Sequence, residues 1–419
     1  MVELAPRLKN WAGNYEYSTG NLHHPETVEQ IQVLNKNLEK LKVLGTRHTF
    51  NAIADSTENL ISLDQLERVI DVDPHQKRVS ISGNITYGEL SPVLHRAGFA
   101  LHNLASLAHI SVAGACATAT HGSGVRNQTL AAAVSRLEIV TANGDLLTLS
   151  REEESERFDG AVVNLGALGV VANLTLDLLP NFEVSQHVYE RLPYSQLEAH
   201  FDDIISAAYS VSLFTTWQDN YIDQVWLKRR SDEILRIDFF GATPAMWKMH
   251  PIAKVPAENC TEQLGVAGPW HERLPHFRID ALPSAGNELQ SEYFLPRASA
   301  VEALHALSSL REEFAPHLLV SEIRTIAADN FWMSPCYHQD SVGFHFTWKQ
   351  DVPAVMKVLP LIEARLAPFN ARPHWGKLFR IEPEPLHSLY EKLPDFQRLA
   401  QEYDPDGKFR NAFLERVLS

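Results

Sequence analysis

Three kinds of feature are scarce in this chain of 419 residues, and each scarcity excludes a class of protein. The cysteines are only three, Cys116, Cys260 and Cys336, and no two of them form a C-x-x-C pair. A disulfide framework and a structural zinc site are therefore not indicated, and a reducing compartment fits. Apolar runs of about 18 residues, the length that spans a membrane, do not occur. We expect a protein without a membrane partner.

Excess positive charge is also missing, because the formal net charge is -15. Nucleic-acid-binding proteins concentrate Lys and Arg on one face, so we expect no nucleic-acid partner. The densest basic run, residues 228–230, is short, and we interpret it as a solvated strand end. Residues 1–7 lack the apolar core of a secretory signal, which predicts a cytoplasmic location.

Sequence motifs of the common nucleotide-binding and hydrolase folds are absent as well. The chain has no G-x-G-x-x-G fingerprint and no Walker A loop. It also lacks a G-x-S-x-G elbow and an H-E-x-x-H helix. These absences argue against a nicotinamide Rossmann domain, a P-loop NTPase and the common hydrolases.

Glycine and other small residues cluster at three places. A short apolar strand, 41–44, ends at Gly45, and His48 follows in the turn. Successive amides in such a turn form an anion-binding nest, and an imidazole with a pKa of about 6.5 is a nucleophile there. The runs 111–124 and 164–171 suit a backbone that lies against a ligand. Tight helix packing is the less favoured alternative, since glycine and β-branched residues make a poor helix.

Short strands and helices alternate along the chain, which predicts an α+β fold. Near residues 178–182 the small-residue character ends and aromatic residues become frequent, so we place a domain boundary there. The predicted helices are 26–40, 88–97, 298–312 and 352–366. The predicted strands are 41–44, 60–63, 69–72, 79–82, 137–141, 146–149, 225–228, 288–294, 318–325 and 343–348.

Two predicted strands of the second region present polar side chains on one face. Alternation along a strand separates Ile323, Phe344 and Phe346 from the polar residues beside them. The polar-face residues are Glu322, Arg324, His345 and Thr347. Such a surface has both donors and acceptors, which suits a polyhydroxylated substrate such as a sugar or sugar alcohol. In the loop 372–377, Lys377 adds a positive charge for a developing alkoxide.

The turn at His48 and the runs 111–124 and 164–171 together resemble the flavin domain of the vanillyl-alcohol-oxidase-type flavoproteins. Within that family the chain is similar, along almost its whole length, to the alditol oxidases and the related sugar-1,4-lactone oxidases, and the alditol-oxidase match is the closer. The resemblance implies an α+β PCMH-type FAD-binding domain of two α+β subdomains at 1–180. It further implies a substrate (cap) domain with a mixed or antiparallel sheet covered by helices at 181–385, and a segment returning to the FAD domain at 386–419.

The same resemblance implies FAD attached covalently through His48. The residues implied to line the FAD are Val43, Leu44, Gly45, Thr46, Arg47, His48, Thr49, Ser106, Ser111, Gly114, Thr118, Ala119, Thr120, His121, Val171 and His374. The residues implied to bind the polyol are Ser106, Glu322, Arg324, Thr347 and Lys377. No metal site is expected, because the pair His23-His24 has no third ligand at useful spacing. The family turn usually carries a glycine where this chain has Arg47, so a left-handed backbone there would cost roughly 1 kcal/mol or more.

The implied reaction is oxidation of an alditol such as xylitol or sorbitol at its terminal C1 hydroxyl, with hydride transfer to FAD, reoxidation by dioxygen and release of hydrogen peroxide. We assign Arg324 and Lys377 to the negative charge on the reacting oxygen and His345 to its deprotonation. Glu322, Thr347 and Ser106 would hold the remaining hydroxyls. We expect a monomer.

Other functions remain open at this stage. A sugar-1,4-lactone oxidase or dehydrogenase would use the same donors on a cyclic substrate. A noncatalytic carbohydrate- or flavin-binding protein would need neither a histidyl bond nor a charged pair beside the flavin. Taken alone, His48 is an ordinary turn histidine, and Glu322 with Arg324 is a solvated strand pair.

Overall fold

The structure is a computed structural model that describes residues 7–234, 238–281 and 288–418. Residues 1–6, most of the segment in which we found no secretory signal, lie outside this range. Within the described residues the strands are β1 Leu22–His23, β2 Leu41–Leu44, β3 Asn59–Ser62, β4 Ile70–Asp73, β5 Arg78–Ser82, β6 Phe99–Ala100, β7 Val134–Val140, β8 Leu146–Ser150, β9 Val170–Asp177, β10 Leu179–Pro180, β11 Glu183–Pro193, β12 Ser210–Thr215, β13 Tyr221–Arg230, β14 Thr243–Pro244, β15 Gly268–Pro269, β16 Glu288–Pro296, β17 Leu318–Ile326, β18 Ser341–Lys349 and β19 Arg372–Pro373.

The α-helices in the same residues are α1 Val28–Asn37, α2 Tyr87–Arg96, α3 Val112–Ala117, α4 Ser155–Val162, α5 Tyr194–Ala199, α6 Phe201–Ile205, α7 Ala300–Ser308, α8 Arg311–Phe314, α9 Val352–Leu366, α10 Pro383–Leu389, α11 Leu393–Tyr403 and α12 Ala412–Leu418. None of the helices in the described part of the chain combines the length and the apolar character needed to cross a membrane. The mixture of short strands and helices confirms the predicted α+β class.

The first part of the chain forms a small parallel sheet and a larger antiparallel one. The parallel sheet has the order β1-β3-β2, and the antiparallel sheet has the order β4-β5-β9-β7-β8. Helix α1 begins where the Thr27 side chain accepts a hydrogen bond from the Gln30 amide, an N-cap interaction. It delivers the chain into β2, whose C-terminal end carries the turn that contains His48.

A nine-stranded antiparallel sheet occupies the second part, in the order β14-β11-β13-β12-β17-β18-β16-β19, with β15 also paired to β11. Its apolar face packs against helices. Phe314 of α8 meets Phe346 edge to face, with ring centroids 5.7 Å apart, and Phe346 stacks on Trp348. Ile323 and Phe344 are buried in the same core. The predicted alternation along β17 and β18 therefore turns the opposite, polar face toward the cavity described below.

Several predictions differ from the structure in detail. The run 111–124 contains a helix, α3, so our preference against a helix was wrong for residues 112–117. Lys228 is not solvated but buried, and its Nζ donates to the carbonyl oxygens of Arg273 and Pro275. The helix predicted at 298–312 divides into α7 and α8. The longer strands β9, β11 and β12 were not predicted, although buried and half-buried residues alternate along β9.

The C-terminal segment packs on the first part of the chain. The amide of Leu41 donates to the carbonyl oxygen of Lys408 at 3.0 Å. The Asn411 side chain donates to the carbonyl oxygens of Ala52 and Asp55, at 2.9 Å and 2.8 Å. These bonds fix the strand β2, and with it the turn that follows, from the far end of the sequence.

Candidate active site

A cavity of about 430 Å³ lies between the first part of the chain and the polar face of the nine-stranded sheet. Its walls come from the turn after β2, the start of α3, the loop 164–171, the strands β16 to β18 and the loop 374–377. A cavity of this size, with a mostly apolar surface and a set of polar groups, is typical of cofactor and substrate sites. The sheet and the glycine-rich turns therefore enclose one site.

The N-terminal segment holds the His48 turn in place. The Trp11 amide donates to the Arg47 carbonyl oxygen at 2.9 Å. The Trp11 indole stacks on the His48 imidazole, with ring centroids 5.3 Å apart and planes inclined by 24°. Burial, with smaller contributions from His109 and Arg47, lowers the pKa of His48 to about 4. The imidazole is therefore neutral at pH 7 and keeps a lone pair, as a nucleophile requires.

Arg47 adopts the left-handed backbone conformation, with φ at 61°. This is one of the two outcomes that its departure from the family glycine leaves open. Its Nη1 donates to the carbonyl oxygen of Lys9 at 3.3 Å. The turn thus retains the shape that a glycine would adopt, at a cost of roughly 1 to 2 kcal/mol for the side chain.

Small residues leave the backbone itself to line the first half of the cavity. A Cβ atom added at Gly45 or at Gly114 would lie 2.8 Å from Ser111 Oγ. Gly166, with φ at 67°, lies beside the ammonium group of Lys42. The turns that contain Gly45 and Gly166 and the start of α3 thus meet around one channel. Side chains at these glycine positions would narrow the channel. This cradle fits a long cofactor with phosphate groups, such as FAD.

Charged groups concentrate at the polar face of the sheet. Arg324 and Lys377 converge on Glu292, whose Oε1 accepts from Arg324 Nη2 at 2.9 Å and whose Oε2 accepts from Lys377 Nζ at 2.5 Å. Glu322 Oε2 lies 3.6 Å from Arg324 Nε. Although burial opposes charging, Arg324 and the neighbouring groups hold the pKa of the Glu322 carboxyl well below its usual range. Two cations and two carboxylates thus share one buried surface.

Histidines beside these charges are neutral. Burial lowers the pKa of His276 to about 4, although its Nε2 lies 2.7 Å from Glu322 Oε1. Desolvation outweighs the attraction of the carboxylate, so a neutral imidazole donates to a charged Glu322. Burial also holds the pKa of His345 well below its usual range, and nearby Lys377 adds to this effect.

His345 has one ring nitrogen engaged. Its Nε2 lies 3.2 Å from Gln290 Oε1, while the Gln290 amide nitrogen donates to Glu288. Because an amide oxygen only accepts, Nε2 carries the proton and Nδ1 keeps a lone pair. In the described part of the chain, Nδ1 has no hydrogen-bond partner. His345 is therefore a neutral residue of the cavity wall, and its Nδ1 is buried.

The loop that carries Lys377 connects the two halves of the site. Its backbone bonds to β16 through the His374 amide, which donates to the Glu292 carbonyl oxygen at 3.0 Å. On the other side, the Phe50 amide donates to the Gly376 carbonyl oxygen at 2.8 Å. The Asn51 side chain donates to the Lys377 carbonyl oxygen at 2.7 Å. The residues that follow His48 therefore hold the lysine loop in place.

Candidate ligand atoms of His121, Glu292 and His374 lie within 4.8 Å of one another. Such a group can bind a metal ion, but Glu292 already pairs with Arg324 and Lys377. Two positive charges at hydrogen-bond distance oppose a third. We therefore assign Glu292 to an ion-pair network with Arg324 and Lys377 rather than to a metal site. His23 and His24 lie elsewhere and contact Asn59 and Asp64, respectively.

The structure brings the residues named from the sequence together, with one exception. Ala119 is buried in the hydrophobic core rather than at the cavity, and its φ is 54°. The residues that do line the cavity are Val43, Leu44, Gly45, Thr46, Arg47, His48, Thr49, Ser106, Ser111, Gly114, Thr118, Thr120, His121, Val171, Glu322, Arg324, His345, Thr347, His374 and Lys377.

The cavity is also lined by residues that were not predicted, among them Gln290, Glu292, His276 and Trp11. The alternation in β16 places Gln290 and Glu292 on the same polar face as the residues of β17, a signal that was available. His276 and Trp11 gave no signal, because each lies in an irregular segment and reaches the cavity through tertiary packing.

Comparisons with known proteins agree with this geometry. A family model described as FAD binding domain matches residues 23–150, and one described as D-arabinono-1,4-lactone oxidase matches residues 285–417. The chain is 48% identical to an alditol oxidase from a Streptomyces species, across 99% of this chain and 100% of that protein. It is 24% identical to mouse L-gulonolactone oxidase, across 98% of each chain.

Solved structures share the fold at low identity. Cholesterol oxidase from Brevibacterium sterolicum superposes with a TM-score of 0.79 at 13% identity, and the match covers 99% of this chain and 97% of that one. That likeness shows the fold alone. The identity of 48% over whole chains decides the family. The chain belongs to the alditol oxidase family of FAD-dependent oxidoreductases.

Proposed function

We propose that this protein oxidises alditols such as xylitol and sorbitol at the terminal C1 hydroxyl, giving the aldose and hydrogen peroxide. The observation that carries the proposal is the convergence of Arg324 and Lys377 on the buried carboxylate of Glu292, in the wall of a cavity that Glu322 and Thr347 also line. We further propose covalent FAD on His48, a division at 1–180, 181–385 and 386–419, and a cytoplasmic monomer.

When bound, FAD would supply an acceptor for the hydride of the substrate carbon and a route for the electrons to dioxygen. Gly45, Ser111 and Gly114 would hold it through the backbone, and the neutral His48 imidazole would provide the bond to the isoalloxazine. The residues of the nine-stranded sheet are left to bind, orient and deprotonate the alcohol.

Arg324 and Lys377 stabilise negative charge on the reacting oxygen. A single well-placed donor contributes about 3 to 4 kcal/mol to such a step. His345 lines the cavity and is neutral, so we assign it to accept the hydroxyl proton. Glu322 is charged and Thr347 and Ser106 carry hydroxyl groups, so that together they provide acceptors and donors for the remaining hydroxyls of a linear polyol.

Peroxide release across a panel of linear alditols and cyclic 1,4-lactones tests the substrate. We expect peroxide with xylitol and sorbitol, and activity confined to lactones would favour the lactone oxidase instead. The similarity to L-gulonolactone oxidase and the match to the D-arabinono-1,4-lactone oxidase model support a sugar-1,4-lactone oxidase as the second candidate.

Anaerobic addition of xylitol separates catalysis from binding. Bleaching of the oxidised flavin absorbance shows electron transfer from the polyol. Tight polyol binding without bleaching would instead favour a noncatalytic carbohydrate-binding protein. Fluorescence of the denatured protein on a gel reports the covalent flavin directly, and a His48→Ala variant is its negative control.

A further inference from the structure

Glu292 lies at the centre of the charged network, although it does not itself present a free oxygen to the cavity. Its side chain is 0% exposed. Oε2 accepts from Lys377 Nζ at 2.5 Å, and Oε1 accepts from Arg324 Nη2 at 2.9 Å. His121 Nε2 lies 3.2 Å from Oε1. One carboxylate is thus shared by both cations that the proposed function assigns to the reacting oxygen.

We propose that Glu292 is a positioning residue that holds the Lys377 ammonium charged and aims it, together with the Arg324 guanidinium, at the substrate oxygen. This inference rests on the proposed function for the role of the two cations. A lysine stem has several rotatable bonds, and a buried ammonium tends to lose its proton. A carboxylate at hydrogen-bond distance opposes both tendencies.

Two other buried lysines show what Lys377 would experience without a carboxylate at hydrogen-bond distance. Lys42 Nζ donates to the Gly166 carbonyl oxygen, and Lys228 Nζ donates to the carbonyl oxygens of residues 273–275. Burial lowers the pKa of each to about 7. Burial also lowers the pKa of Lys377, but Glu292 opposes the change most strongly. The counter-ion therefore distinguishes Lys377 from the other two.

The sign of the effect follows from the groups that face Lys377. Arg324 lowers the pKa of the lysine, whereas Glu292 and, more weakly, Glu322 raise it. Without Glu292, burial and the Arg324 guanidinium still lower the pKa of Lys377, and only Glu322 raises it. The ammonium would then lose its proton at lower pH. The charged and titratable groups around the pair are Arg324, Glu322, His345, His121 and His374.

NMR of the full-length holoenzyme labelled with ¹³Cε-lysine measures this directly. The Lys377 signal is the one lost in Lys377→Arg, and those of Lys42 and Lys228 are assigned in the same way. In the unmutated protein we expect Lys377 to titrate at higher pH than Lys42 and Lys228. In Glu292→Gln we expect its pKa to fall by about 1 to 3 units.

Catalysis gives a second reading. The alkaline limb of kcat/KM for xylitol should move to lower pH by the same interval in Glu292→Gln, and Glu292→Asp should recover at least half of the shift. Asp329→Asn is the matched control, since Asp329 is a buried carboxylate outside the cavity that accepts from Thr129 and Ser334. It should leave the Lys377 titration unchanged.

The inference is overturned if Lys377 titrates together with Lys42 and Lys228 in the unmutated protein. It is equally overturned if the folded Glu292→Gln variant keeps the original Lys377 pKa. The comparison of Lys377 with Lys42 and Lys228 needs no variant of Glu292. The inference can therefore still be tested if Glu292→Gln folds poorly. If no alditol is oxidised, the proposed function fails, while the lysine titration still decides the role of Glu292.

Discussion

The indole of Trp11 stacks on the imidazole of His48 at a centroid distance of 5.3 Å, and the Trp11 amide bonds to the neighbouring Arg47 carbonyl oxygen. The N-terminal segment therefore fixes both the plane of the ring and the backbone that carries it. For the covalent attachment proposed above, an imidazole held in this way would be oriented before the cofactor binds, because less of its rotational freedom remains to be lost.

Replacing Trp11 with alanine should therefore slow the covalent attachment of FAD to reconstituted protein by about tenfold. At a fixed time, a smaller fraction of the FAD should then be attached. Trp11→Phe, which keeps an aromatic surface, should attach faster than Trp11→Ala. The measurement is flavin fluorescence of acid-denatured protein on a gel, normalised to total FAD. Trp247→Ala is the control, since that side chain is 64% exposed. Equal attachment in all variants would contradict the assigned role.

The left-handed Arg47 gives a prediction about stability. Arg47→Gly removes the side-chain strain of φ at 61° but adds backbone entropy to the unfolded chain, so the free energy of unfolding should stay within about 1 kcal/mol of its original value. Arg47→Val places a β-branched residue in the same conformation and should lower it by about 1 to 2 kcal/mol.

Urea unfolding of the apoprotein measures both changes, and identical destabilisation by the two substitutions would show that strain is not the cause. The covalent attachment of FAD proposed at His48 should persist in Arg47→Gly, since glycine adopts the left-handed conformation without strain.

The two cations should act on turnover rather than on cofactor content. Lys377→Met removes the charge and keeps most of the stem, and should lower kcat by about 100- to 1,000-fold, the loss typical of one missing donor. FAD content should stay within about twofold of the original value. Stopped-flow reduction by xylitol and the flavin-to-protein absorbance ratio measure the two quantities. Parallel loss of both would make Lys377 a structural residue.

Much of this site was predictable because sheet geometry obeys a strict period. Once β17 and β18 were recognised, the period of two placed Glu322, Arg324, His345 and Thr347 on one surface. The same arithmetic applied to β16 would have revealed Glu292, whose partners on that face are cations. The signal for Glu292 was electrostatic, because two buried cations, Arg324 and Lys377, require a negative charge nearby.

Other features depended on contacts between distant segments. Trp11 reaches His48 from an irregular N-terminal stretch, and no periodic pattern marks it. Lys228 belongs to a basic run that resembles a solvated strand end, yet the carbonyl oxygens of residues 273–275 surround its ammonium. The six-residue helix α3 was missed because tertiary packing overrides weak helix propensity.

Buried neutral histidines should make the protein sensitive to acid. The folded-state pKa of His276 is lowered by burial from an ordinary 6.5 to about 4. Between these values the unfolded chain binds a proton that the folded protein does not, so stability falls as the pH drops from 6.5 toward 4. Each such histidine contributes a slope of roughly 1.4 kcal/mol per pH unit. Glu322 has a depressed carboxyl pKa, so the stability that it contributes is lost only at lower pH.

His276→Gln keeps a donor for Glu322 but cannot be protonated, so it should reduce the slope of unfolding free energy against pH in this window by roughly 1.4 kcal/mol per unit. The residual slope reflects other buried histidines, among them His271, whose pKa is also lowered to about 4. His305→Gln is the control, because that side chain is 60% exposed. Urea unfolding at half-unit steps of pH measures the slopes. An unchanged slope in His276→Gln would mean that Glu322 keeps His276 protonated, and the neutral imidazole assigned to His276 would have to be replaced by a cation.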